Sequence, residues 1–253
     1  MGESITSKKI ASPRVLVCSP TSETKDYCFK DWLLNVLSFT YDNFEIVLFE
    51  NTTNSNYAST MNTFAEKIGA TEKFKAIKSN VNEDMSVYER LAISHNDCAK
   101  YAIENNFDYI LHLESDVFPQ EFIIEKLLSN KKDIVGAIYY TDIGSFRKPM
   151  IQQKIRFSEK KNEIGFAQMQ IGDDLIFIDG TTKEVGSVGL GCVLIKTEVL
   201  KRVSFRGYKN VDLAPDSMFS GDCHTLGIKI FSDTSVICDH QNQQWGIFGA
   251  TYK

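Results

Sequence analysis

A chain of 253 residues, 43% hydrophobic and 24% charged, carries enough apolar material for a sizeable core. Its formal charge of −5 excludes a protein built mainly to neutralise nucleic-acid phosphates, though a local basic patch is compatible with it. No run approaches the roughly 18 apolar residues of a membrane span, and the six cysteines include no CxxC pair, so the reading is a reduced, cytoplasmic protein without a disulfide framework.

In chain order, residues 1–11 read as a short disordered leader. MGESIT fits the loose myristoylation pattern, and there is no apolar core of signal-peptide length. RVLVCSP (14–20) predicts a buried strand that ends in a loop at Ser-Pro. In DYCFKDWLLNVLSFT (26–40), Phe29, Leu33, Val36 and Leu37 fall at helical spacing. FEIVLFE (44–50) is a second strand, MNTFAEKIGA (61–70) a helix closing at Gly69, and FKAIKSN (74–80) a third strand. Residues 85–106 predict a long helix with Leu91, Ala99, Ala102 and Ile103 inward, and YILHLES (109–115) a fourth strand. Buried strands alternating with helices are the pattern of a mostly parallel sheet covered on both faces, which binds ligands beyond the carboxyl ends of its strands.

The second half is less regular. A helix (120–130) and a strand (133–140) precede a loop-rich region from 141 to 186 with β-like pieces KIRFSE, GFAQMQ and DLIFID. VGLGCVLIK (188–196) is a strand entered through two glycines, and TEVLKRV a short helix with Thr197 as its cap. PDSMFSGDCHTLG is a helix ended by Gly227, followed by strands up to His240.

Glu114-Ser115-Asp116 ends the fourth strand. Two carboxylates two apart at the mouth of a parallel sheet repel each other unless something positive lies between them. A divalent cation such as Mg²⁺ or Mn²⁺ answers this, and a solvated turn is the other reading the pattern allows. A helix cap fits poorly, because Pro119 belongs to the first helical turn and places the cap near Phe118.

Across residues 12 to 241 the chain resembles a glycosyltransferase of the GT-A fold, close to the family 2-like group. The resemblance implies a single α/β domain with a mostly parallel central sheet flanked by helices. Residues 12–118 would form its nucleotide-binding half and 119–253 its acceptor-binding half. In that fold a DxD motif ends a central strand and holds a metal on the diphosphate of a nucleotide sugar. Here the motif is Glu114-Ser115-Asp116, with Asp116 as the metal ligand and Glu114 near the ribose or the metal's water shell.

RVLVCSPTSE resembles the segment that receives the nucleobase, which implies Ser19, Pro20 and Thr21 there. Glu50 matches an acid at base or ribose, and Arg90 and Asn96 match a helix that approaches the nucleotide. Gly189 and Gly191 match glycines that let backbone lie close to the donor sugar. PDSMFSGDCHTLG resembles the family's base-bearing helix. Asp216, spaced correctly from Phe219 and Gly227, is the implied base; Asp222 is the alternative, and Pro215 stands where the family usually has Glu. His240 matches a histidine that completes the metal site, which favours Mn²⁺ over Mg²⁺.

The implied reaction is metal-dependent transfer of a sugar from a nucleoside-diphosphate donor, UDP-sugar favoured, to an acceptor hydroxyl with inversion. A non-catalytic nucleotide- or glycan-binding module and a nucleotidyltransferase are the other readings. The latter is weakened because SPTSETKDY has no phosphate-cradling glycine. The acceptor, whether glycan, lipid-linked glycan, protein or modified nucleic acid, would meet the region 141–187. Its Arg147, Lys148, Lys154, Arg156, Lys160 and Lys161 form either a solvated face or an anion-meeting one.

Overall fold

The computed structural model describes residues 12–143, 146–158, 163–168, 176–211 and 213–241. The first four apolar runs form β1 (Val15–Thr21), β2 (Phe44–Glu50), β3 (Phe74–Lys78) and β4 (Tyr109–Leu113). Between them lie the helices α1 (Asp26–Leu37), α2 (Tyr57–Lys67) and α3 (Val87–Glu104). Alternation along β1 sends Val15 and Val17 to one face, against Phe29, Trp32, Leu33 and Met61 of α1 and α2. Leu16 and Cys18 point to the other face, against Ala92, Cys98, Ala99 and Ala102 of α3. Each such fully buried large side chain contributes about 1.5–3 kcal/mol. Ser86 and Glu89 close a capping box at the start of α3, with Glu89 N–H donating to Ser86 Oγ at 3.2 Å and Ser86 N–H to Glu89 Oε2 at 2.8 Å. Gly69, at φ +72°, ends α2 in the left-handed conformation that glycine takes without strain.

The chain continues through β5 (Val117–Phe118), α4 (Ile123–Ser129), β6 (Ile134–Ile138), β7 (Tyr140–Ile143), β8 (Phe146–Pro149), β9 (Ile151–Ser158) and β10 (Glu163–Gln168). It then forms β11 (Thr182–Val185), β12 (Ser187–Val188), β13 (Cys192–Lys196), α5 (Thr197–Leu200), α6 (Pro215–Thr225), β14 (Ile230–Ile237) and β15 (Asp239–His240). The main sheet has eight strands in the order β11-β14-β6-β13-β4-β1-β2-β3. Strands β14 and β6 pair parallel, as do β4, β1, β2 and β3, while β13 runs antiparallel between β6 and β4. The reversal brings the start of β13 to the rim where β4 and β6 end.

Four local expectations are corrected. Ser19, Pro20 and Thr21 lie inside β1 rather than in a loop, because they pair with Leu48, Phe49 and Glu50 of β2. Pro20 is tolerated there because β4 pairs only as far as Cys18. The fourth helix starts at Ile123, not near Gln120. The Pro119 carbonyl accepts from Asn35 Nδ2 at 3.2 Å and the Glu121 carbonyl from Thr40 N–H at 3.0 Å, which fastens this segment to the end of α1. Thr197 is the first helical residue of α5, with Lys196 at the cap position. DLIFID is not a strand where it is described, since Ile176 and Phe177 are helical. The expected leader, Lys160 and Lys161 lie outside the described residues.

Candidate active site

The site lies at the carboxyl ends of β4 and β6. Glu114 N–H donates to the Gly191 carbonyl at 3.0 Å, and Val117 N–H to the Glu114 carbonyl at 2.9 Å, so β4 ends in a tight turn carrying both acids. The short strand β5 then pairs antiparallel with β15, setting His240 opposite Val117. Gln241 N–H donates to the Asp116 carbonyl at 2.9 Å. That ribbon brings the distant histidine to the acid. One ligand atom each from Glu114, Asp116 and His240 lies within 4.8 Å of the others.

His240 Nδ1 lies 2.8 Å from the Tyr140 carbonyl, which fixes Nδ1 as the donor and aims Nε2 at Asp116 Oδ2, 3.4 Å away. Lys25 forms an ion pair with the same oxygen, and the Tyr27 hydroxyl is 3.5 Å from it while donating to the Gln241 carbonyl at 2.6 Å. Asp116 Oδ1 and His240 Nε2 are buried and make no hydrogen bond. What sets these two atoms apart from other buried atoms without a hydrogen bond, such as both ring nitrogens of His112, is that they belong to a cluster of three possible ligands. Two carboxylates and an imidazole aimed at one point form a donor set suited to Mn²⁺ or Mg²⁺.

The electrostatics agree with a crowded acidic rim. Burial, and then the charge of Asp116, push the Glu114 carboxyl up to about 7, with Asp216 adding to the rise. Burial alone would raise Asp116 too, but the facing His240 side chain and the Lys25 ammonium outweigh it and hold the carboxyl below its ordinary value. His240 is held above its ordinary value because the attraction of Asp116 exceeds the burial penalty.

Asp216 sits in the first turn of α6, not at its cap, which is Ala214. Pro215 before it is the first helical residue, where proline's missing N–H costs nothing. Asp216 Oδ1 accepts from Ser217 N–H at 2.7 Å, yet burial still raises its pKa. Its charge also contributes to the raised pKa values of Glu114 and Tyr139. Asp222 is gripped at both oxygens by Arg206, at 2.9 and 2.7 Å, on the exposed surface.

Other expected contacts are placed differently. The Glu50 side chain is fully buried, accepting from Thr52 N–H at 2.5 Å and from the Lys78 ammonium at 2.8 Å. Thr21 Oγ1 and Ser115 Oγ share a buried hydrogen bond of 2.8 Å, and Ser19 Oγ donates to the Pro20 carbonyl at 3.0 Å. Asn96 holds the backbone of Phe205 with both ends of its amide, at 2.8 and 2.9 Å, and thereby anchors the segment after α5. Arg90 is half-buried in the first turns of α3.

The two glycines pack against Tyr139. A Cβ on Gly189 would lie 2.1 Å from the Tyr139 hydroxyl, and one on Gly191 would lie 2.4 Å from Tyr139 Cζ. Their missing side chains admit the Tyr139 ring, whose hydroxyl accepts from Gly191 N–H at 3.1 Å. That ring meets His240 edge-on at 5.3 Å. Sequence reading missed Tyr139, Lys25 and Tyr27. The only local signal for Tyr139 was the pair of bulky aromatics after β6, facing two glycines later in the chain.

No family model and no curated protein matches the chain. Its fold, however, is that of known solved structures. GalNAc-T7 with UDP, GalNAc and Mn²⁺ superposes over 90% of this chain and 44% of its own, with a TM-score of 0.64 at 10% identity. The mannosyltransferase PcManGT from Pyrobaculum calidifontis, with GDP-Man and Mn²⁺, gives 0.62 at 14% identity over 94% of this chain and 59% of its own. TarS of S. aureus with UDP-GlcNAc gives 0.55 at 13% identity over 90% and 59%. The chain therefore has the GT-A fold, and it spans about half the length of these three structures. Among the described residues no helix is long and apolar enough to cross a membrane.

Proposed function

We propose that this chain is a metal-dependent glycosyltransferase that moves a sugar from a nucleoside-diphosphate donor to an acceptor hydroxyl with inversion. The observation that carries this reading is the convergence of Glu114, Asp116 and His240 on one point at the sheet rim. Asp116 and His240, with Glu114 beside them, would hold the cation. When bound, it would supply positive charge against the departing diphosphate. Asp216 takes the acceptor's proton; its burial makes it more basic than an ordinary surface carboxylate. A single base opposite the leaving group fits one displacement, hence inversion.

Three neighbours crystallised with nucleotide or nucleotide sugar support the donor class, two of them with UDP or a UDP-sugar, which favours UDP here. The acceptor reading remains the region between β6 and β13. Arg147 there lies over the Tyr140 ring at 5.5 Å, beside the carbonyl that orients His240. The test is a panel of UDP-, GDP-, CDP- and dTDP-sugars, each with and without Mn²⁺, read by thermal shift and by donor hydrolysis. Stabilisation by about 2–3 kcal/mol at a hundredfold excess over Kd, together with Mn²⁺-dependent hydrolysis of one donor, is expected. Binding without turnover of any donor and acceptor pair would favour a non-catalytic module, and no Mn²⁺-dependent binding would sink the assignment.

A further inference from the structure

Lys25 ends a single 3-10 turn, Glu23–Lys25, on the way from β1 to α1. That turn is fastened to the segment after β2: Glu23 N–H donates to Thr52 Oγ1 at 2.9 Å, and Ser55 Oγ to Glu23 Oε2 at 2.8 Å. The lysine side chain crosses from this anchor to Asp116. There three groups address one oxygen, Oδ2: the Lys25 ammonium, His240 Nε2 at 3.4 Å and the Tyr27 hydroxyl at 3.5 Å. The other oxygen, Oδ1, has no partner.

Two physical demands conflict at this carboxylate. Asp116 is fully buried, so leaving it without a counter-charge is strongly unfavourable. A divalent cation among Glu114, Asp116 and His240 would sit close to the ammonium and repel it. Both demands are met if the two cations alternate. Lysine is suited to this: its ammonium is a point charge on a flexible four-carbon stem and can move without the backbone. The side chain is 18% exposed, so it has a way toward solvent.

We propose that Lys25 is a resident counter-ion for Asp116, displaced when the divalent cation binds, and that the displaced ammonium then meets the donor's diphosphate. Lys25 therefore adds a second source of coupling between cation and nucleotide, on top of the attraction between their charges. The proposal builds on the cation reading above and adds to it an internal competitor.

The experiment is titration of free Mn²⁺ followed by electron paramagnetic resonance, with and without UDP. It uses the wild type, Lys25→Met, Lys25→Gln and Asp116→Asn, each checked for folding by circular dichroism. In the wild type UDP should tighten Mn²⁺ binding within the usual coupling range of about 5–150-fold. Lys25→Met should bind Mn²⁺ alone about tenfold more tightly than the wild type, and the gain from UDP should shrink by a similar factor, leaving the direct attraction between cation and diphosphate. Lys25→Gln keeps a hydrogen-bond donor without the charge, and should behave the same even where the methionine disturbs packing. Unchanged or weaker Mn²⁺ affinity in both Lys25 variants, or a full UDP effect retained in them, overturns the proposal while leaving the cation site standing. Equal Mn²⁺ affinity in Asp116→Asn and the wild type overturns the cation site and the proposal together.

Discussion

The rim of the sheet has two parts that look alike in the sequence and differ in the structure. Along β1 and β2, and at Ser115, the polar side chains are closed on one another. Glu50 is matched by Lys78 and Thr52, and Thr21 by Ser115. Next to Ser115, Asp116 is just as buried but keeps Oδ1 without a hydrogen bond, in a cluster with Glu114 and His240. The lesson is that burial of a polar residue does not by itself mark a ligand site. What separates the two parts is that several possible metal ligands converge in only one of them.

The strongest way to break this contrast is Asp116→Asn. It should lower Mn²⁺-dependent donor turnover by about three orders of magnitude, with the circular dichroism spectrum of the folded chain retained, because the amide keeps the carboxylate's shape. Normal turnover in that variant would remove the distinction between the two parts of the rim. Next comes the base. Asp216→Asn should lower the transfer rate by about 10²–10⁴-fold with donor affinity by calorimetry nearly unchanged, whereas Asp222→Asn should alter the rate little. The reverse ranking would show that the Arg206-bound carboxylate, not the buried one, does the work.

A smaller effect tests the frame. Gly189→Ala should destabilise the protein by about 1–3 kcal/mol by overpacking. Its closest clash is with the Tyr139 hydroxyl, so Tyr139→Phe in the same chain should recover much of that loss. Gly191→Ala clashes with the ring itself and should not be rescued. Denaturant melts of the four variants decide it; equal rescue at both glycines would mean that the tyrosine is not what they accommodate.

The gentlest probe is pH. His95 and His112 pack 5.0 Å apart beneath the closed part of the rim. Burial, and then the neighbouring His112, hold His95 well below its ordinary value, and burial takes His112 down to about 3. An unfolded histidine titrates near ~6.5, so below that pH the unfolded chain takes up protons that the folded one refuses. Stability should therefore fall as the pH drops below about 6.5, by up to about 1.4 kcal/mol per pH unit for each histidine. Urea midpoints between pH 7 and 5 measure it, and His95→Gln should flatten the slope. A slope unchanged by that substitution would place the acid sensitivity elsewhere.

Much of the frame was legible from the chain because it is encoded locally. Continuous apolar runs gave the parallel strands, and glycine at 69 gave the end of α2. The acidic pair at the end of β4 was legible for a related reason: charge at the end of a buried run has few structural uses. What was hidden depends on distance. Lys25 meets Asp116 across 91 residues and Asn96 meets Phe205 across 109, and no local pattern announces either pairing. Gly189 and Gly191 were visible as glycines, but what they make room for lies some 50 residues earlier in the chain, at Tyr139.

The reversed strand β13 has a consequence for how such a molecule can change. Because it runs against β4 and β6, the chain leaves the sheet at the end of β6 and comes back to the same rim at the start of β13. Met150 N–H donates to the Tyr139 carbonyl and Gly189 N–H to the Met150 carbonyl, at 2.9 and 2.8 Å, so departure and return are stitched side by side. Among the described residues, the excursion between them lends the main sheet only β11, an edge strand with one neighbour. A stretch tethered this way behaves as a cassette. It can be lengthened, shortened or exchanged while every interior strand keeps its partners, and each version still opens onto the same cluster of acids.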